Sequence, residues 1–218
     1  MTVYSYGVNL LKDIASTFSS ISAKDDYGED SWLTPYHQAF HETLIREWSS
    51  IDSHRMNKYL LLVRFVVREI FTICFRPLFG TRTGEKDQLP EKREEEGKIE
   101  ARHRAKSITA TMEASGPLNR TDRKIPDGLR LHLLDVFPEE LFTAYTAAEE
   151  GSATTEEDAA LNAPDQHILG MMLEIFKAPI TAMAESNSGA QKHVRQRAKE
   201  ALQHLAEREA EAFESIGG

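Results

Sequence analysis

The sequence predicts an all-α protein, a HEAT-like superhelix of stacked helical hairpins with a charged insertion. Three observations carry that expectation. Ser53 to Arg76 is an apolar-rich run of roughly 24 residues, about 36 Å of helix at 1.5 Å per residue. Apolar residues recur at spacings of three and four through most of the remaining chain, and no stretch shows strand alternation. With 218 residues and 40% hydrophobic content there is material for one sizeable core or a short solenoid. The expected organisation is N-terminal helical repeats over 1–80, a charged flexible insertion over 81–125 and C-terminal repeats over 126–218.

Taken in order, Leu10, Leu11, Ile14, Phe18 and Ile21 fall at helical spacing and predict a first helix from Tyr4 to Ser22. Lys24 to Ser31 is acidic and reads as a loop. From Trp32, the set Leu33, Tyr36, Phe40, Leu44 and Trp48 predicts a second helix that ends near Ser49-Ser50 and turns back as a hairpin. Asp52 suits the N-cap of the apolar helix, since its carboxylate can accept the free amide hydrogens of the next turn, and Ile51 can staple onto Met56. The first strong breaker is Pro77. Arg64, Arg68 and Glu69 argue against a bilayer around this helix, because an arginine at a membrane centre costs about 2.5–3.5 kcal/mol on insertion scales. The helix is therefore expected between other helices, with Arg64 and Arg68 paired to Glu69, Asp135 or Glu140 or else lining a partner groove.

Arg82 to Lys106 is crowded with charges of both signs and reads as a solvated insertion, disordered or a single helix laced by ion pairs. Order restarts at Pro126-Asp127-Gly128, with Asp127 as cap and Leu129, Leu133, Val136, Phe137 and Leu141 on one face. Pro138 predicts a kink or break in that helix. Glu149 to Asp158 is a linker. Ile168, Met171, Met172, Ile175 and Phe176 predict a helix from about Asp165 that Pro179 bends or ends, and Ala190, Val194, Ala198, Ala201, Leu202, Leu205 and Phe213 stripe a last one.

The formal net charge of −9, from 35 acidic and 26 basic residues, means that any contact with nucleic acid must come from a local basic face. Two such faces stand out. Arg102, Arg104, Lys106, Arg120, Arg123 and Lys124 oppose only Glu113 and Asp122, and Lys192, Arg195 and Lys199 share one side of the last helix. Its basic half precedes Glu207, Glu209, Glu211 and Glu214, opposite to the order that the helix dipole favours. Cys74, the single cysteine, reads as a buried small hydrophobe in a reducing compartment, and the first residues lack the pattern of a secretory signal.

Motifs for catalysis are thin. His37 and His41 lie four apart, a spacing compatible with metal, but Gln38 stands where a zinc protease has glutamate; a solvent-facing pair, or one ring capping a neighbour, is the ordinary reading. Gly80 to Lys86 lacks phosphate-loop spacing, and Trp48 reads as core. No enzyme, metal, cofactor or small-molecule substrate is expected. Asn119-Arg120-Thr121 matches a glycosylation acceptor only formally.

Two ordered blocks carry a resemblance. Arg46-Glu47-Trp48, Ile51-Asp52, Arg55, Lys58-Tyr59 and Leu61 to Arg64, followed by Pro126-Asp127-Gly128-Leu129-Arg130-Leu131-His132, Asp135 and Glu140-Leu141, are similar to the eukaryotic nucleolar family called ribosomal RNA processing protein 1. The resemblance implies a non-catalytic helical scaffold in nucleolar large-subunit precursors, needed for processing of ribosomal RNA. Its implied partners are pre-ribosomal proteins and pre-rRNA, with no membrane. That family's pattern usually opens with a further tryptophan-rich helical pair, so the resemblance also implies a shortened product or an incomplete gene model. The rival readings are a helical adaptor unrelated to ribosomes and a metal-dependent enzyme using His37 and His41.

Overall fold

The computed structural model describes residues 3–22, 32–79, 90–150 and 166–217. The loop expected at 24–31, the stretch 80–86 and the linker over 151–158 lie outside the described residues. Among the described residues seven α-helices follow in chain order: α1 (Val3–Ser22), α2 (Leu33–Glu47), α3 (Ser53–Phe75), α4 (Pro90–Ala114), α5 (Asp127–Glu150), α6 (Gln166–Ala184) and α7 (Lys192–Gly217). Short 3-10 turns occupy Trp48–Ser50 and Arg76–Phe79. Among the described residues there is no strand.

The helices form two layers. In one, α1 packs on α3, α3 on α5 and α5 on α7; in the other, α2 packs on α4 and α4 on α6, while α1–α2, α3–α4 and α6–α7 contacts join the layers. Successive helices thus alternate between layers, as in a solenoid of helical hairpins.

At the centre lies α3, and its start follows the sequence closely. Asp52 accepts the Arg55 amide at 2.9 Å and its side chain at 2.7 Å, which together hold its carboxyl below the usual range. Val66, Ile70, Phe71, Ile73, Cys74 and Phe75 are 0% exposed, each large side chain contributing about 1.5–3 kcal/mol by leaving water. Phe71 meets Phe137 of α5 and Phe176 of α6 edge-on, with ring centroids 4.8 and 5.0 Å apart, so one aromatic ties three helices. Burial pushes the Cys74 thiol up to about 12, consistent with an inert core residue.

The charged segment is more than an insertion, and neither Pro138 nor Pro179 breaks or ends its helix. The segment Pro90–Ala114 is not simply solvated: it is a helix whose Ala101, Ala105, Ile108 and Met112 enter the shared core at 0–2% exposure. Their spacing of four, three and four gives an inner face whose first two positions are alanine, which a search for large apolar residues passes over. The helices containing Pro138 and Pro179 both run on past the proline. A proline costs a helix interior about 3 kcal/mol, and the buried neighbours Phe137, Glu140, Leu141, Ile180 and Met183 hold the two turns in place. His167–Ala184 is the one described window long and apolar enough to cross a bilayer, by length and composition only. Half of it is buried against neighbouring helices, and Leu169, Met172, Leu173 and Phe176 belong to the shared core.

Candidate functional site

The two sequence blocks that carry the resemblance meet in space, because they build the α3–α5 interface. Arg64 and Arg68 each donate from Nε to one oxygen of Glu140, whose carboxylate is fully buried. Of the other candidates, Glu69 instead accepts from the Ser19 hydroxyl and Asp135 pairs with Arg197. His132 Nε2 donates to the Leu60 carbonyl at 2.9 Å. Trp48 is 8% exposed, and a Cβ at Gly128 would sit 3.6 Å from its Nε1, so the turn before α3 and the start of α5 abut. Arg46 and Glu47 form an exposed pair at 2.7 Å, and Lys58 is exposed. Among these signature residues Trp48, Arg64, Gly128, His132 and Glu140 thus join α3 to α5.

What the frame holds up is the loop between α4 and α5. Arg130 is 6% exposed and donates to three backbone carbonyls of that loop: Asn119 at 2.6 Å, Ile125 at 2.8 Å, and Asp122. Burial pulls its guanidinium down from its ordinary value, and nearby Asp127 and Asp122 oppose that shift. The Asn119 carboxamide donates to Ala114 O and accepts from the amides of Thr121 and Asp122, while Asp122 accepts the Lys124 amide at 2.8 Å. The backbone is thus tied from inside, and Arg120, Arg123 and Lys124 are left exposed on its outer side. Three cations face outward where the one carboxylate, Asp122, is turned onto the loop itself.

The loop leading into α7 joins this edge. A Cβ at Gly189 would approach Thr121 to 3.6 Å, and His193 lies 2.9 Å from Asp127. Gly189 has φ +81°, the left-handed turn that glycine takes without strain. Lys192, exposed beside His193, therefore belongs to the same end of the molecule as Arg120, Arg123 and Lys124. Lys199 is exposed two turns farther along α7, and Arg195 folds back to donate to the Ala190 carbonyl at 2.5 Å.

Other predicted positions separate. Arg104 leaves the set of surface cations: at 9% exposure it donates to the Ile73 carbonyl at 2.7 Å and pairs with Glu100, serving the α3–α4 contact. Arg102 and Lys106 lie on the outer side of α4, away from the loop edge. His37 and His41 are neither solvent-facing nor caps. They are 0% and 1% exposed, share an Nε2–Nε2 hydrogen bond of 2.7 Å, and leave both Nδ1 atoms buried without a partner among the described residues. Burial lowers His41 to about 4 and, with the neighbouring ring, lowers His37 well below its ordinary value. Among the described residues no group of three or more His, Cys, Asp or Glu is placed to hold a metal ion.

Sequence reasoning missed Arg130 as the organiser of the basic loop. The signal was its place three residues after Asp127, with which it forms a 3.5 Å pair.

Comparison with known proteins places this geometry in context. The family described as "Nucleolar protein, Nop52" matches residues 6–216. The chain is similar to "Ribosomal RNA processing protein 1 homolog B" of mouse, 29% identical over 106 residues, which is 49% of this chain and 12% of the mouse protein. The human protein of the same name is 28% identical over 104 residues, 48% of this chain and 11% of its own length.

Proposed function

The chain belongs to the Nop52 family of nucleolar proteins, and from that membership we propose that it is a non-catalytic scaffold of ribosome biogenesis, supporting pre-rRNA processing in large-subunit precursors. The match across 6–216 is the observation that carries the reading, and the printed name of the mouse and human relatives points the same way. The geometry supports it at two levels. The central helices offer a rigid frame, since α3 is enclosed and clamped to α5 through Glu140. The edge formed by Arg120, Arg123, Lys124 and Lys192 offers fixed cations to phosphate on a molecule whose formal net charge is −9. A tied loop of this kind gives up little conformational entropy on binding.

Binding to single-stranded RNA tests the edge. Each phosphate contact contributes about 0.7 to the slope of log affinity against log salt, so Arg120→Glu/Arg123→Glu/Lys124→Glu should flatten the slope by about 2. An unchanged slope removes the edge from the proposal, whatever the fate of the scaffold reading.

A further inference from the structure

On the flank of α4 next to its packed alanines, a groove of about 850 Å³ opens toward α6 and α7. Its floor is apolar, formed by Met171 and Ile175 of α6 and Phe213 of α7. Ile99, 64% exposed, extends the same face of α4 one turn before Arg102. Gly170 keeps the floor open, since nothing lies within 4 Å of a Cβ placed there.

The two lips differ in charge. Glu174 and Glu209 line one side, and Lys177 binds both, at 3.7 and 2.5 Å, which leaves that lip with one negative charge against two positive ones opposite. Arg102 and Lys106 line the other and have no carboxylate partner among the described residues. Arg102 instead lays its guanidinium on the Met171 sulfur, Nη2 at 2.7 Å and Nε at 3.0 Å. A thioether is a weak acceptor, so this cation is poorly compensated. An apolar floor beside two unanswered cations is complementary to a helix with one apolar stripe and acidic flanks. RNA would find the cations, but of the floor only Phe213 offers a base a stacking face, while Met171 and Ile175 suit an apolar side chain.

We infer that this groove docks an acidic amphipathic helix of a partner protein, giving the scaffold a protein contact distinct from its basic loop edge. The inference rests on the scaffold reading only for its biological setting; the groove can be assayed alone.

The test is fluorescence anisotropy on the full chain with three labelled probes. They are a helical peptide of about 20 residues with a leucine stripe flanked by glutamates, its twin with lysines for the glutamates, and a single-stranded RNA of about 20 nucleotides. The acidic peptide should bind about tenfold tighter than its twin, and Arg102→Glu/Lys106→Glu should remove about that factor. Gly170→Leu should block the peptide while the melting temperature holds or rises, because the new side chain enters open space and leucine favours helix. Equal binding of the two peptides, or no response to these variants, overturns the inference. So does RNA bound through Arg102 and Lys106 in place of the peptide. The loop variant Arg120→Glu/Arg123→Glu/Lys124→Glu should leave the peptide bound, which separates failure here from failure of the RNA edge.

Discussion

Removing both guanidinium groups from Glu140 is the sharpest probe of how the frame is held. The carboxylate has no exposure, and Arg64 and Arg68 supply one donor to each of its oxygens. With Arg64→Met or Arg68→Met alone, one charged hydrogen bond is lost and the other stays, at a cost of about 1–2 kcal/mol. With both, a buried carboxylate is stranded, and breaking such a pair from one side costs about 3–5 kcal/mol. The arginine side chains are 42% and 36% exposed, so water already screens part of their attraction and the lower end, about 3 kcal/mol, is the better figure. Replacing all three residues by methionine or leucine should restore most of that loss, because an apolar triad of similar volume strands no charge. Urea unfolding followed by helical circular dichroism measures this directly, with an unchanged m-value showing that only stability moved. A double variant within about 1 kcal/mol of the parent would refute the reasoning.

Three further outcomes are expected. Because burial depresses both histidines in the fold, the unfolded chain binds their protons more readily; the stability they contribute is present above about pH 6.5 and is lost as pH falls toward 4. His41 alone should cost about 2 kcal/mol between about pH 7.5 and 5, so His37→Leu/His41→Leu should show a shallower loss in urea melts, and an equal loss would contradict the assignment. Arg130→Met should strand the loop carbonyls, cost about 2–4 kcal/mol and speed tryptic cleavage after Arg120 and Arg123, whereas unchanged cleavage would mean that Arg130 does not organise the loop. Gly97→Ala should lower the melting temperature, since a Cβ there collides with the Pro77 carbonyl; the rise that helix propensity alone would give, about 1 kcal/mol, would show that the close approach is not real.

The parts of this fold legible in the sequence are those whose determinants are local. The apolar run of α3, its Asp52 cap and the extents of α1 and α2 are set within a few turns of chain, and the structure reproduces most of these ends within a residue or two, although Leu10 and Ile14 of the α1 stripe and Trp32 and Tyr36 of the α2 stripe are exposed. What escaped reading depends on partners far along the chain. The inverted charge order of α7 makes sense only with Asp135 beside Arg197 at 2.7 Å and Lys177 beside Glu209 at 2.5 Å, since tertiary pairs outweigh the tenths of a kcal/mol that the dipole offers. The buried histidines sit against Phe18 of α1 and near Gly116, neither of which their spacing announces. Of the candidate site, the exposed Arg120, Arg123 and Lys124 were visible as a charge cluster, but not the buried Arg130 behind them. Arg104 shares that cluster's sequence pattern and is spent on the Ile73 carbonyl instead.

On the proposed function, a clamped helical frame presents fixed cations to a large-subunit precursor. Gradient sedimentation of the tagged chain from nuclear extract tests it most directly, run beside Arg120→Glu/Arg123→Glu/Lys124→Glu. The parent chain should travel with the large-subunit precursors, and the variant, folded to the same melting temperature, should shift toward the light fractions. A parent chain confined to the top of the gradient, or a variant that travels with the precursors undiminished, would contradict the account.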